Sequence, residues 1–312
     1  MVRTHVALSG GLGNQMFQYA AARSLAQRVG AELVLDNWSG FVRDRQYRRT
    51  YELGALPIQG RVARSAERLP IWLYRWKHRG GRPSSQPIER HWFGDFLVEA
   101  ADEARSGLGE NHLQISFSHQ ALFHQFAPRR SSWVVGYWQS PRYFEDITPD
   151  LQLELMPPQP TDARFRALGE ELQRSESVAL GVRLYEESAN PAFHAFGGSL
   201  KGIPEIRSAV ERLRSARPAA RFYVFCTHRA PLLEQLQLPA DTVFVTPEGG
   251  YSDTLNTLWL LSRCQHHIFT NSSYYWWGAW LSAAVRGGEA QLIIAADNFI
   301  NRDGLCAAWE RF

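Results

Sequence analysis

The chain has 312 residues, with 34 basic side chains against 31 acidic ones and a formal net charge of +3. A hydrophobic fraction of 45% with 11 tryptophans supplies real cores and excludes disorder for most of the chain. The near-balance argues against bulk coating of nucleic acid, yet it hides a local excess: residues 41–90 hold eleven arginines and one lysine against Asp44, Glu52, Glu67 and Glu89.

Residues 4–9 read as a buried strand, followed by the glycine-rich turn Gly10, Gly11, Leu12, Gly13, Asn14, Gln15. Phe17, Ala20, Ala21, Leu25 and Val29 then recur at helical spacing, and Gly30 stops the helix. Residues 32–36 are the next strand, so the chain opens as a βαβ unit of a parallel α/β sheet. Residues 37–130 carry a weaker pattern, and 133–138 is a strand. Met156, Pro157, Pro158, Gln159 and Pro160 form a stiff linker. Beyond it, strands are expected at 177–183, 221–226, 242–245, 266–270 and 291–295, with helices at 203–216, 229–237, 253–263 and 272–285. The pattern predicts two α/β, Rossmann-like domains, 1–156 and 161–312, facing a cleft, with the last helix free to pack back on the first domain.

The longest apolar stretch, 274–285, is interrupted by Gly278 and Ser282 and is too short to span a bilayer, which needs about 20 residues. The N-terminus carries Arg3 and His5 without an apolar leader. Cys226, Cys264 and Cys306 are widely spaced and odd in number, so no disulfide framework or zinc pattern is readable, and a reducing, cytoplasmic setting fits.

Three features could carry chemistry. The turn at 10–15 lets backbone approach a ligand at a helix start, where free N–H groups favour an anion. The dinucleotide fingerprint would need glycine where Met16 stands, which argues against a nicotinamide or flavin enzyme; a plain βα turn is the bland alternative. Phe269, Thr270, Asn271, Ser272 and Ser273 run from a strand end to a helix start, as a phosphate site or a simple cap. Arg183, at the end of strand 177–183, faces a ligand crevice, where its fork suits a diphosphate; Glu186 and Glu187 follow it and could instead pair with it. His266 and His267 are adjacent on a strand and point to opposite faces, so they cannot share a metal and read as structural. No catalytic metal is expected.

These segments together resemble one family. Gly10-Gly11-Leu12-Gly13-Asn14-Gln15-Met16-Phe17-Gln18-Tyr19-Ala20 resembles the N-terminal motif of glycosyltransferase family 11, the α-1,2-fucosyltransferases. The stretch 261–273, continuing to Trp276, Trp277, Gly278, Ala279, Trp280 and Leu281, resembles its C-terminal motif. The resemblance implies a GT-B fold with the nucleotide sugar bound mainly by the C-terminal domain. It implies inverting, metal-independent transfer of L-fucose from GDP-β-L-fucose to a sugar hydroxyl of a glycan or surface polysaccharide, with no cofactor beyond that co-substrate. It places Arg183 on the essential donor-binding arginine, Ser272 and Ser273 on the phosphate turn, and Gly11, Gly13 and Asn14 near the diphosphate. Glu186 or Glu187 is then the general base.

The departures are specific. The family's central His-x-Arg-Arg-Gly-Asp reads Gly181-Val182-Arg183-Leu184-Tyr185-Glu186, and its Phe-Ser-Asp-Asp reads Phe225-Cys226-Thr227-His228. The acid that holds guanine falls at Thr257, with Asp253 one helical turn earlier. The alternatives are another nucleotide-sugar donor on the same fold, or a catalytically silent glycan- or nucleotide-binding protein. The basic window contains Arg61, Arg64, Arg68, Arg75, Lys77, Arg79 and Arg82 among Trp72, Tyr74 and Trp76. That mixture suits peripheral docking on an anionic inner-membrane surface near a lipid-linked acceptor, or a solvated helix face.

Overall fold

The computed structural model describes residues 2–42, 44–45, 47–70, 73, 88–99, 120–184, 201–287, 289–298 and 303–312. Two compact units emerge: Met1–Leu155 with Phe299–Cys306, and Met156–Asn298 with Ala307–Phe312.

In the first unit, β1 (Arg3–Ala7) leads through α1 (Leu12–Val29) into β2 (Glu32–Asp36) and the short β3 (Arg61–Val62). A hairpin of β4 (Ile88–His91) and β5 (Gly94–Val98) follows, then α2 (Gln120–Gln125), β6 (Ser132–Val135) and α3 (Thr148–Glu154). The sheet order is β3-β2-β1-β6-β5-β4, parallel except for the β4–β5 hairpin. Gly30, in the left-handed region at φ 61°, closes α1 by donating to the Ala26 and Gln27 carbonyls. Most of α1 from Leu12 to Ala26 is buried, including Gln15, Gln18 and Ser24. Buried polar groups must be paired. Gln18 therefore clamps Ser9, accepting its N–H at 2.8 Å and donating to its hydroxyl at 2.9 Å, and Ser24 donates to Asp146.

In the second unit, α4 (Ala163–Arg174), capped by Asp162, precedes β7 (Ser177–Gly181), α5 (Ile203–Ala216), β8 (Arg221–Phe225), α6 (Pro231–Glu234) and β9 (Val243–Val245). Then come α7 (Thr254–Arg263), β10 (His266–Phe269), α8 (Ser273–Arg286), β11 (Ile293–Ala295) and β12 (Glu310–Arg311). All six strands run parallel in the order β12-β11-β10-β7-β8-β9. Val178, Leu180, Phe222, Val224, Ile268 and Ile294 stack with the inner face of α5 as the core. Such parallel strands are covered on both faces, which is why they read as apolar runs. Arg286, 8% exposed at the end of α8, donates to the carbonyls of Gln173, Leu172 and Arg263, uniting the C-terminal ends of α4 and α7 with its own helix.

The α/β expectation with two Rossmann-like units, the layout of a GT-B chain, is met. Several local expectations are corrected. The strand expected over 133–138 ends at Val135, because Gly136 (φ 146°) and Trp138 (φ 54°) leave extended space. The helix expected over 229–237 is one turn, Pro231–Glu234, and Gln237 at φ 53° ends any continuation. The last helix among the described residues, α8, lies within the second unit, while residues 303–306 group with the first and β12 pairs with β11. The cysteines are free thiols. Among the described residues no helix is long and apolar enough to cross a membrane.

Candidate functional site

Open parallel sheets present ligand sites beyond the carboxyl ends of their strands, where the strand order reverses. In the second sheet that reversal lies between β7 and β10: β8 and β9 extend one way, β11 and β12 the other. Arg183 follows β7 there and is half-buried, and Thr270, Asn271, Ser272 and Ser273 follow β10. The two turns are joined directly. The Arg183 N–H donates to the Thr270 hydroxyl at 2.7 Å, and the Thr270 N–H donates to the Gly181 carbonyl at 2.9 Å. Ser272 caps α8 by accepting the Tyr275 N–H at 3.4 Å, so its hydroxyl and the positive end of the helix stand at the same edge. Asn271 is 8% exposed and donates to the Asn298 carbonyl at 2.9 Å. Thr227 and His228 follow the neighbouring β8, with the Thr227 hydroxyl 3.4 Å from His228 Nδ1. The structure thus brings Arg183, Thr227, His228, Asn271, Ser272 and Ser273 to one edge of one sheet.

Asp253 and Thr257 have local work. Asp253 caps α7, its carboxylate accepting the Asn256 N–H at 2.7 Å, and the Thr257 hydroxyl donates to the Tyr251 carbonyl at 3.4 Å. Glu186 and Glu187 lie outside the described residues.

The first sheet reverses between β1 and β6, and the glycine-rich turn follows β1 at that point. Gly10 is left-handed at φ 73°, and a Cβ there would meet the Asn14 side chain at 2.7 Å. Gly11 starts α1 with no side-chain cap and no acid in the first turn. Asn14 accepts from Gln139, just beyond β6, at 2.9 Å. Gln15 is fully buried. It donates to the Gly10 and Thr50 carbonyls and accepts the Glu52 N–H, lacing the 50–52 segment to the turn. Arg49 lies alongside, its Nε 3.9 Å from where a Cβ on Gly11 would stand.

Both adjacent histidines are buried in β10. Burial pushes His267 down to about 3 and lowers His266, whose Nδ1 accepts the Leu292 N–H at 2.9 Å. They behave as neutral core groups. Among the described residues no group of three or more His, Cys, Asp or Glu is placed to hold a metal ion. In the basic window, Arg61 is bound to Glu32 at 2.8 Å and Glu67 at 2.7 Å, and Arg68 lies over Trp38 at 5.4 Å. Trp72, Tyr74, Arg75, Trp76, Lys77, Arg79 and Arg82 lie outside the described residues.

Sequence reasoning missed Gln139, Arg49 and the cross-strand role of Tyr275. Thr270 was legible as a hydroxyl two residues before Ser272. Arg49 was one arginine among eleven in its window, and nothing local set it apart.

Residues 111–303 match the family described as Glycosyl transferase family 11. Over 284 residues the chain is 25% identical to an alpha-1,2-colitosyltransferase of Escherichia coli, covering 88% of this chain and 86% of that protein. Over 295 residues it is 27% identical to the O-antigen biosynthesis glycosyltransferase WbnK of Escherichia coli, covering 88% and 89% respectively. Among solved structures, NodZ alpha-1,6-fucosyltransferase soaked with GDP-fucose aligns with a TM-score of 0.49 at 18% identity, over 90% of this chain and 93% of that one.

Proposed function

The chain belongs to glycosyl transferase family 11, and on that premise we propose that it moves L-fucose from GDP-β-L-fucose to a sugar hydroxyl, with inversion, without a metal, and in α-1,2 linkage. The observation that carries the donor reading is the shared edge of β7 and β10, where Arg183 and the capped serine turn converge. The acceptor oxygen attacks the anomeric carbon and gives its proton to Glu186 or Glu187. The bond from that carbon to the diphosphate breaks, and GDP leaves with the electron pair. The Arg183 guanidinium and the N–H groups at the start of α8 stabilise the charge that develops on the departing diphosphate. In the first unit, taken by itself, Gly11, Gly13 and Asn14 form a glycine-lined helix start of a kind that suits an anion. The colitosyltransferase and O-antigen relatives support a deoxy-sugar donor and a surface-polysaccharide acceptor.

A second reading keeps the reaction and changes the nucleotide. Asp253, the carboxylate nearest in sequence to the guanine-reading position, is engaged in capping its own helix. Thermal-shift measurement with GDP, UDP and dTDP separates the two readings. Under the first, GDP at about 100 times its dissociation constant adds about 2.7 kcal/mol of stability while the others add little. A rise with UDP or dTDP and none with GDP transfers the assignment to another donor. Binding without turnover across many donors and acceptors would indicate a silent binding protein.

On the acceptor side, the basic and aromatic run at 61–82 is assigned to peripheral docking on anionic lipid. Co-sedimentation with vesicles rich in phosphatidylglycerol should capture the chain at low salt and release it at high salt. A chain that stays in the supernatant at low salt removes the docking proposal.

A further inference from the structure

One side chain, Tyr275, ties together the three strand ends of the second unit's site. It stands in the first turn of α8, two residues after Ser273. Its hydroxyl donates to the Phe225 carbonyl at 2.9 Å and lies 3.4 Å from the Val182 carbonyl. Phe225 ends β8, so the turn with Thr227 and His228 hangs from it, and Val182 immediately precedes Arg183. The Phe225 carbonyl also accepts the Val182 N–H at 3.1 Å, so both of its lone pairs are used.

The ring itself crosses Gly181. A Cβ built on Gly181 would stand 2.6 Å from the nearest ring carbon and under 3 Å from two more. Real Cβ atoms do not approach a neighbour that closely, and a ring 7% exposed has little room to withdraw. Gly181 is also the position where the resemblance places the family's histidine. In this chain that space holds the phenol of Tyr275, delivered from a different element.

We infer that Tyr275 is a positioning residue for the donor site: its hydroxyl sets the spacing between the Arg183 turn and the Thr227–His228 turn, and its backbone fixes both against the Ser272–Ser273 helix start. The inference rests on reading this edge as the donor side. It separates Tyr275 from an ordinary core aromatic, because a core aromatic needs only its ring.

Tyr275→Phe keeps the ring and removes the hydroxyl. Calorimetric titration with GDP should show affinity weakened about fivefold to tenfold, the range of one neutral hydrogen bond. Steady-state transfer should show the donor KM raised in step and the acceptor KM unchanged. Arg183→Ala, titrated in parallel, is the control on the donor reading. If Arg183→Ala weakens GDP while Tyr275→Phe binds it like the parent, the positioning role is wrong and the donor reading stands. If Arg183→Ala also binds GDP like the parent, the donor reading falls and this inference with it. An acceptor KM raised as much as the donor KM overturns the inference as well.

Discussion

Replacing Arg183 by alanine should lower the rate of transfer by about 10²- to 10³-fold, the usual cost of removing one preorganised group that faces developing charge. The side chain is half-buried at a strand end, and the backbone N–H donates to the Thr270 hydroxyl, a bond that alanine also makes. The substitution therefore leaves the hydrogen bond that shapes the turn in place. Arg183→Lys should recover only part of the loss, because an ammonium cannot present the planar fork that engages two phosphate oxygens. Steady-state assays with purified variants check both. Transfer within threefold of the parent in Arg183→Ala would sink the donor-site assignment.

Arg286→Ala should instead unfold the second unit at much lower temperature while leaving the chemistry of surviving molecules intact. The guanidinium is nearly enclosed and gives hydrogen bonds to the carbonyls of Leu172, Gln173 and Arg263, with Glu289 at 3.4 Å. Those carbonyls belong to helix ends, which lack partners within their own helices and carry negative partial charge. Removing the cation takes a charged donor from all three and leaves a gap where a nearly enclosed side chain stood, although the Leu172 carbonyl keeps the Ser177 hydroxyl at 2.7 Å. The expected loss is about 3–5 kcal/mol, the range for breaking a buried charged contact. That corresponds to a fall of roughly 10 °C in a unit of this size. Scanning calorimetry reads it directly, and a shift of less than about 2 °C would mean the region relaxes or admits water.

The inner sheet strands were the most legible part of the sequence, because most are short, largely apolar runs followed by a turn. Ser177–Gly181 and His266–Phe269 fall inside their expected ranges for this reason. The helix Ala163–Arg174 was equally readable in principle, with Asp162 as its cap and Phe165, Leu168 and Leu172 on one face. The hairpin at Ile88–Val98 was hidden because its two-residue turn is Trp92–Phe93, without the usual glycine or asparagine in the turn itself. At the site, the sequence identified residues that sit at strand ends. It could not identify those that act across the sheet. Thr270 bonds to a residue 87 positions away and Tyr275 to one 50 positions away. No local pattern encodes such contacts, since they depend on which strands become neighbours.

The contact between Gly181 and the Tyr275 ring also couples the two positions to each other. A Cβ at 181 would stand under 3 Å from three ring carbons, so any larger residue there requires the ring to move or to be replaced. Change at 181 is therefore open only together with change at 275.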